Sequence, residues 1–213
     1  MESSEIIEEF KYYSEKSQVL FAGLRELPHT GRQWSTYFRK AFQVYTKLWA
    51  HQQQHRAVLE REYGLKRWEI GELASKIAQL YYHYYLRTSE TTYLLESFVF
   101  YEAIHARQYF KDVLAVKQSA LVVKKLRYLA RFVVVCLLLN RPTMIKTLMD
   151  EFNLVVLDYQ AEFKPQDAAD WNVVLSEIET FLEVSQDLPR RRSNSLPLIC
   201  METRCSRRSA QLA

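Results

Sequence analysis

The stretch KRWEIGELASKIAQLYYHYYLR, residues 66–87, decides the fold class of this chain. Its apolar residues Ile70, Leu73, Ala74, Ile77, Leu80, Tyr81 and Tyr84 recur at steps of three and four. That is the period of a helix, not the alternation of a half-buried strand. Glu69, Glu72, Lys76, Gln79 and His83 take the opposite side, so the segment predicts a surface helix with one wide apolar stripe. Gly71, Ser75 and Ala78 form a flanking row of small side chains. Glycine inside a helix costs about 1 kcal/mol relative to alanine. Gly71 therefore predicts the close approach of a neighbouring helix.

Working outward, the same period continues on both sides. A first helix fits Glu5–Ala22, with Ile6, Phe10, Tyr13, Ser17 and Leu20 on one stripe and Gly23 at its end. Pro28, His29, Thr30 and Gly31 break the chain. A long second helix is predicted from Gln33 to Tyr63, with Trp34, Phe38, Ala41, Tyr45, Leu48, Gln52, His55 and Leu59 inward and Gly64 as its stop. Thr88 and Ser89 offer capping chemistry for a helix over Glu90–Tyr109. A charged connector follows through Lys111–Gln118. The helix over Ala120–Leu139 is apolar all round in its second half, which predicts that half to be enclosed. Asn140 and Pro142 separate it from a helix over Pro142–Phe163, and Pro165 and Asp167 open a last one carrying Trp171, Val174, Leu175, Ile178 and Phe181. About seven helices with short links and no strand pattern give an all-α class. The architecture expected is stacked antiparallel helical hairpins, an irregular solenoid or bundle. The pair around Tyr81–Ile104 is weakly similar to a tetratricopeptide unit, since Ser97 precedes Tyr101 by four and Ile104 follows by three, but the ~34-residue period of such arrays does not recur.

Composition agrees. Hydrophobic residues make up 48% of the 213, enough for a sizeable core, while only four Gly and five Pro supply turns. The net charge of +4 is confined to the stretch from Ser185 on, where six Arg face Asp187 and Glu202. The preceding 184 residues balance 23 basic against 23 acidic groups. A neutral body lacks the basic footprint of a nucleic-acid-binding domain. Cys136, Cys200 and Cys205 are few and odd in number, and the acidic opening Met1-Glu2-Ser3-Ser4-Glu5 is not a secretory leader, so a reducing compartment is expected. The longest apolar run, Phe132–Leu139, has eight residues, well short of the ~20 that span a bilayer. The sequence thus divides into a helical body, 1–184, and a basic tail expected to be disordered, 185–213.

Chemistry-bearing motifs are sparse. His51 and His55, four apart, could share a helix face as metal ligands do, but Gln52-Gln53-Gln54 between them lacks a catalytic Glu and no third ligand follows. Structural or surface roles are expected for both, as for His29, His83 and His105. Cys136 sits in Val-Val-Val-Cys-Leu-Leu-Leu, where an apolar setting raises a thiol's pKa and shields it. Cys200 and Cys205 do not match zinc-ribbon spacing. No phosphate-cradling Gly-rich loop, nucleophile elbow or zinc-hydrolase motif occurs. The chain reads as a non-enzymatic interaction module without cofactor or metal. Tyr81-Tyr82-His83-Tyr84-Tyr85 is its most unusual local feature, since four tyrosines in five residues face most of the way round a helix. Tyrosine suits interfaces because it buries a large ring while its hydroxyl stays hydrogen-bonded. Tyr82 and Tyr85 are the pair expected to reach a partner groove, the rest being core.

Several strings carry a resemblance. Val44-Tyr45-Thr46-Lys47-Leu48-Trp49, Gln52-Gln53-Gln54-His55-Arg56, Tyr63-Gly64-Leu65-Lys66-Arg67-Trp68 and Tyr81–Thr91 resemble the family of the suppressor of cancer cell invasion. So do Leu121–Tyr128, Ala130-Arg131-Phe132 and Val135–Asn140. The resemblance covers roughly 5–184. It implies a nuclear, also cytoplasmic, transcriptional corepressor that binds a transcription factor of the myocardin-related type. Such a protein restrains serum response factor-driven transcription and cell migration downstream of Rho signalling. A role as adaptor in DNA double-strand-break repair is the alternative the resemblance carries, and it brings no catalytic residues.

The resemblance implies family members that run on for several hundred residues, so the shift in composition at Ser185 reads as an alternative exon end or frame change; a truncated isoform is the expectation, with a non-functional one as the alternative. Within the tail, Arg192-Ser193-Asn194-Ser195-Leu196-Pro197 is similar to ligands of phosphoserine-binding adaptors, which makes Ser195 a candidate phosphosite. The Arg-rich run could equally be a nuclear-import patch.

Overall fold

Each apolar stripe read from the sequence needs a partner, and the computed structural model shows how the helices supply one another. It describes residues 2–28, 33–165 and 168–187; the basic tail beyond lies outside the described residues. These are helical without a strand among them. In order they are α1 (Glu2–Gly23), a 3₁₀ turn (Leu24–Glu26), α2 (Gln33–Gln54), a one-turn α3 (Arg56–Val58), a wide π-type turn (Leu59–Tyr63), α4 (Arg67–Thr88), α5 (Thr91–Ala106), α6 (Ser119–Leu138), α7 (Pro142–Phe163) and α8 (Ala168–Asp187). The all-α class holds. Two compact units form within the body: residues up to Val113 with Val134–Asn140, and Leu114–Val133 with the described residues from Arg141 on.

In the first unit, α1 pairs with α2 and α4 with α5, two hairpins joined where α2 meets α4. Phe38, Ala41 and Tyr45 of α2 and Ile77 and Leu80 of α4 form a buried cluster with Leu24. Tyr45, on the side facing α1, donates its hydroxyl to the Ser17 carbonyl at 3.2 Å. Arg87, at the end of α4, clamps the link into α2. Its guanidinium donates to the carbonyls of Pro28 at 2.7 Å and Leu27 at 3.2 Å, and lies 5.5 Å from the Trp34 ring centre. A planar fork can donate twice and stack at once, which an ammonium cannot.

The predicted approach at Gly71 is present, made not by a helix but by the turn after α5. A Cβ added to Gly71 would lie 2.8 Å from the Cβ of Tyr109 and 3.1 Å from the Phe110 ring. Both rings are buried. Arg67 ties that turn down, donating to the Arg107 carbonyl at 2.7 Å. In the second unit, α7 pairs with α8, and Lys125 of α6 meets Glu151 of α7 at 2.8 Å.

Four expectations change. The single Gln33–Tyr63 helix is interrupted at His55 (φ −108°, ψ 23°), and a wider turn follows that Gly64, at φ 78°, ends; Leu59 at its start and Leu65 just past it are both buried. Ser89 does not cap α5; at φ 56° it closes α4 by donating its backbone N–H to Tyr85. Thr88 serves the next segment, its hydroxyl accepting the Glu90 N–H at 3.3 Å. The apolar end of α6 is not enclosed all round, since Val134 and Leu138 are exposed. Phe181, expected inward on α8, is 59% exposed, while Leu175 and Ile178 are buried. The stripe of α8 that packs on α7 carries Leu175 and Ile178, and Phe181 falls beyond its edge.

Candidate functional site

A helix that buries Phe38, Ala41, Tyr45 and Leu48 must turn other residues to solvent, and on α2 these define a groove floor. Ser35, Arg39, Phe42, Gln43, Thr46 and Lys47 fall at steps of three, four and their neighbours along its outer face. A cleft of about 800 Å³ lies over them, bordered by Tyr13 and Lys16 of α1, Tyr81 and Tyr84 of α4, and Tyr93 of α5. Every one of these elements belongs to the first unit.

The aromatic wall is built by edge-on packing. Tyr84 stands 4.5 Å from Tyr93, 5.6 Å from Phe42 and 5.3 Å from Phe38, centre to centre, all T-shaped. Tyr81 lies 4.9 Å from Phe42. Such contacts add about 0.5–1.5 kcal/mol each beyond area burial, so the wall is preorganised. Burial pushes the pKa of Tyr93 up, helped by the neighbouring Tyr84 and Glu90, and raises that of Tyr13, helped by Glu9. Their hydroxyls stay neutral at physiological pH and can donate as well as accept.

The cations are differently placed. Lys16 donates to the Tyr12 hydroxyl at 2.9 Å. Arg39 and Lys47 are exposed, and neither meets a carboxylate among the described residues. No carboxylate lines the cleft.

Tyr82 and Tyr85 lie elsewhere on α4. Both are half-buried and they pair with each other at 6.4 Å, away from the residues lining this cleft. Burial raises the Tyr82 pKa, as does Tyr85 beside it. The structure thus brings Tyr81 and Tyr84 to the groove and keeps Tyr82 and Tyr85 together outside it. Sequence reasoning missed Phe42, Tyr93, Arg39 and Lys47. The available signal was the outer face of α2, which carries cations and not one Asp or Glu.

The remaining candidates resolve simply. His51 is buried, its Nε2 donating to the Ile6 carbonyl at 2.9 Å with Nδ1 3.6 Å from Glu9, so it ties α1 to α2. His55 packs on it at 4.7 Å. Among the described residues no group of three His, Cys, Asp or Glu side chains could hold a metal ion. Cys136 is fully buried, His83 is exposed, and no described helix is long and apolar enough to cross a membrane. His29, Ser195, Cys200 and Cys205 lie outside the described residues.

Comparison with known proteins gives these features a family. The family model described as Protein SCAI matches residues 12–212. The chain belongs to the SCAI family. It is 55% identical over 196 residues to the Protein SCAI homolog of Dictyostelium discoideum, covering 91% of the chain and 25% of that relative. It is 52% identical over 191 residues to Protein SCAI of Mus musculus and of Homo sapiens, covering 89% of the chain and 32% of each. The chain therefore spans a quarter to a third of the length of these SCAI relatives. The matched range continues past Ser185, where the composition changes. No solved structure matches the chain.

Proposed function

We propose that this chain is a protein-binding regulatory module of the SCAI family, which acts in transcription as a corepressor by holding a transcription factor of the myocardin-related type, without turnover. Family membership carries the reading: identity of 52–55% extends over about nine-tenths of the chain. The cleft over α2 supports it with a surface of the right kind, since a preformed aromatic wall beside a helix suits the docking of an amphipathic partner helix. The nucleus, with a cytoplasmic share, is the compartment this reading requires.

The test is capture of a purified myocardin-related factor by the immobilised full chain, with a serum response factor reporter read in parallel. Stoichiometric capture and lowered reporter output are expected. Failure to retain the factor, with the chain shown folded by its helical circular dichroism, refutes the reading.

A further inference from the structure

The charge on α2 is one-sided. Gln33–Gln54 carries Arg39, Lys40 and Lys47 and no carboxylate, and Arg39 and Lys47 both stand in the cleft without an ion pair among the described residues. Resting on the binding reading above, we propose that this cleft takes an acidic, aromatic-bearing segment of a partner protein, seated along α2. Three observations point to that chemistry.

Arg39 and Lys47 are eight residues apart on one helix, about 12 Å at 1.5 Å per residue. Carboxylates two turns apart on a partner helix match that spacing. Between the two cations Phe42 supplies an apolar floor, and the Tyr84–Tyr93 pair a wall whose hydroxyls can bond to a partner backbone or carboxylate. The cations are also exposed, so they cost no desolvation in the free chain and are available for pairing.

A nucleic acid fits less well. Proteins that hold a nucleic acid by its backbone commonly make about 6–10 phosphate contacts, more than three cations provide. The Tyr84 ring is also engaged by the edges and faces of Phe38, Phe42 and Tyr93, which leaves a poor platform for a stacked base.

The test selects ligands without presuming them. A display library of random peptides about 16 residues long, some four helical turns, is panned on the full chain. Binding is then measured on Arg39→Glu/Lys47→Glu and on Lys40→Glu, an exposed control on the same helix outside the cleft. Enriched peptides are expected to be net acidic with at least one aromatic residue. Their affinity should fall about tenfold on the double reversal, fall with added salt, and be unchanged by Lys40→Glu.

No enrichment, enrichment of neutral or basic peptides, or equal binding to the double variant overturns the proposal. So does a single-stranded DNA oligonucleotide that binds more tightly than the peptides and is lost on the same reversal, or self-association of the chain abolished by it. The capture experiment separates the two readings. A factor retained equally by wild type and double variant sinks the cleft but not the function. Acidic peptides held at the cleft by a chain that retains no factor sink the function but not the cleft.

Discussion

Replacing Gly71 by alanine sets two well-characterised effects against each other, and the structure decides which wins. Gly71 is in the first two turns of α4, where alanine gains about 1 kcal/mol from backbone entropy and helix propensity. Against this, the new Cβ would lie 2.8 Å from the Tyr109 Cβ and 3.1 and 3.3 Å from two Phe110 ring atoms. Carbon atoms in contact prefer about 3.5–4.0 Å, so the turn after α5 must retreat by about 1 Å. Phe110 can tilt, but a Cβ moves only with its backbone. That backbone is held by Arg67 on the Arg107 carbonyl, and by Gln108 in the left-handed region at φ 52°. Overpacking against a fixed neighbour costs about 1–3 kcal/mol. The expected balance is a loss of about 1 kcal/mol, or a thermal midpoint lower by about 2–8 °C.

Because the chain forms two units, urea unfolding should be followed with amide exchange in α4 and in residues 107–113, so that local loosening is not averaged away. Ser75→Ala, on the same small-residue row, is the control. It loses only a 3.3 Å bond from Gln79 and should change stability little. Equal or greater stability of Gly71→Ala, with unchanged exchange in that turn, refutes the reasoning.

His51→Ala should destabilise by about 1–3 kcal/mol, because the Ile6 carbonyl loses its part-buried donor; faster exchange confined to α1 is the signature, and none there counts against the tie. Removing Glu151 alone (Glu151→Ala) strands Lys125, which is 8% exposed, and should cost about 1–3 kcal/mol. The double variant Lys125→Met/Glu151→Leu should cost less than Glu151→Ala, as a double-mutant cycle in urea would show. Tyr45 is buried, and desolvation pushes its pKa well above the ordinary value near 10, with the Ser17 bond only partly offsetting this. The unfolded chain therefore releases that proton first, so stability is full below about pH 10 and falls as pH rises beyond it. Tyr45→Phe should flatten that alkaline loss in pH-dependent denaturation, and an unchanged slope would place the effect elsewhere.

What the sequence determined alone was the period of its elements. Ile70 to Tyr84 recur at helical steps whatever packs on them, and Gly64 and Pro142 end or open helices through their own φ preferences, so class, order and most boundaries were legible. The long strings around Tyr81–Thr91 likewise carried the family, because shared rare residues are a property of sequence and not of packing. Tertiary structure decided which neighbour each face meets. Gly71 announced a close approach, but that the approaching group is Tyr109–Phe110 depends on where the chain turns after α5. Tyr81 and Tyr82 are adjacent in sequence and equal in chemistry. Only the position of α2 and α5 sends Tyr81 and Tyr84 to the cleft and leaves Tyr82 and Tyr85 paired elsewhere. Arg39 and Lys47 look like any solvated charges on a helix until α1, α4 and α5 build walls beside them. Periodicity is local and survives reading in one dimension, whereas a groove exists only between elements distant in sequence.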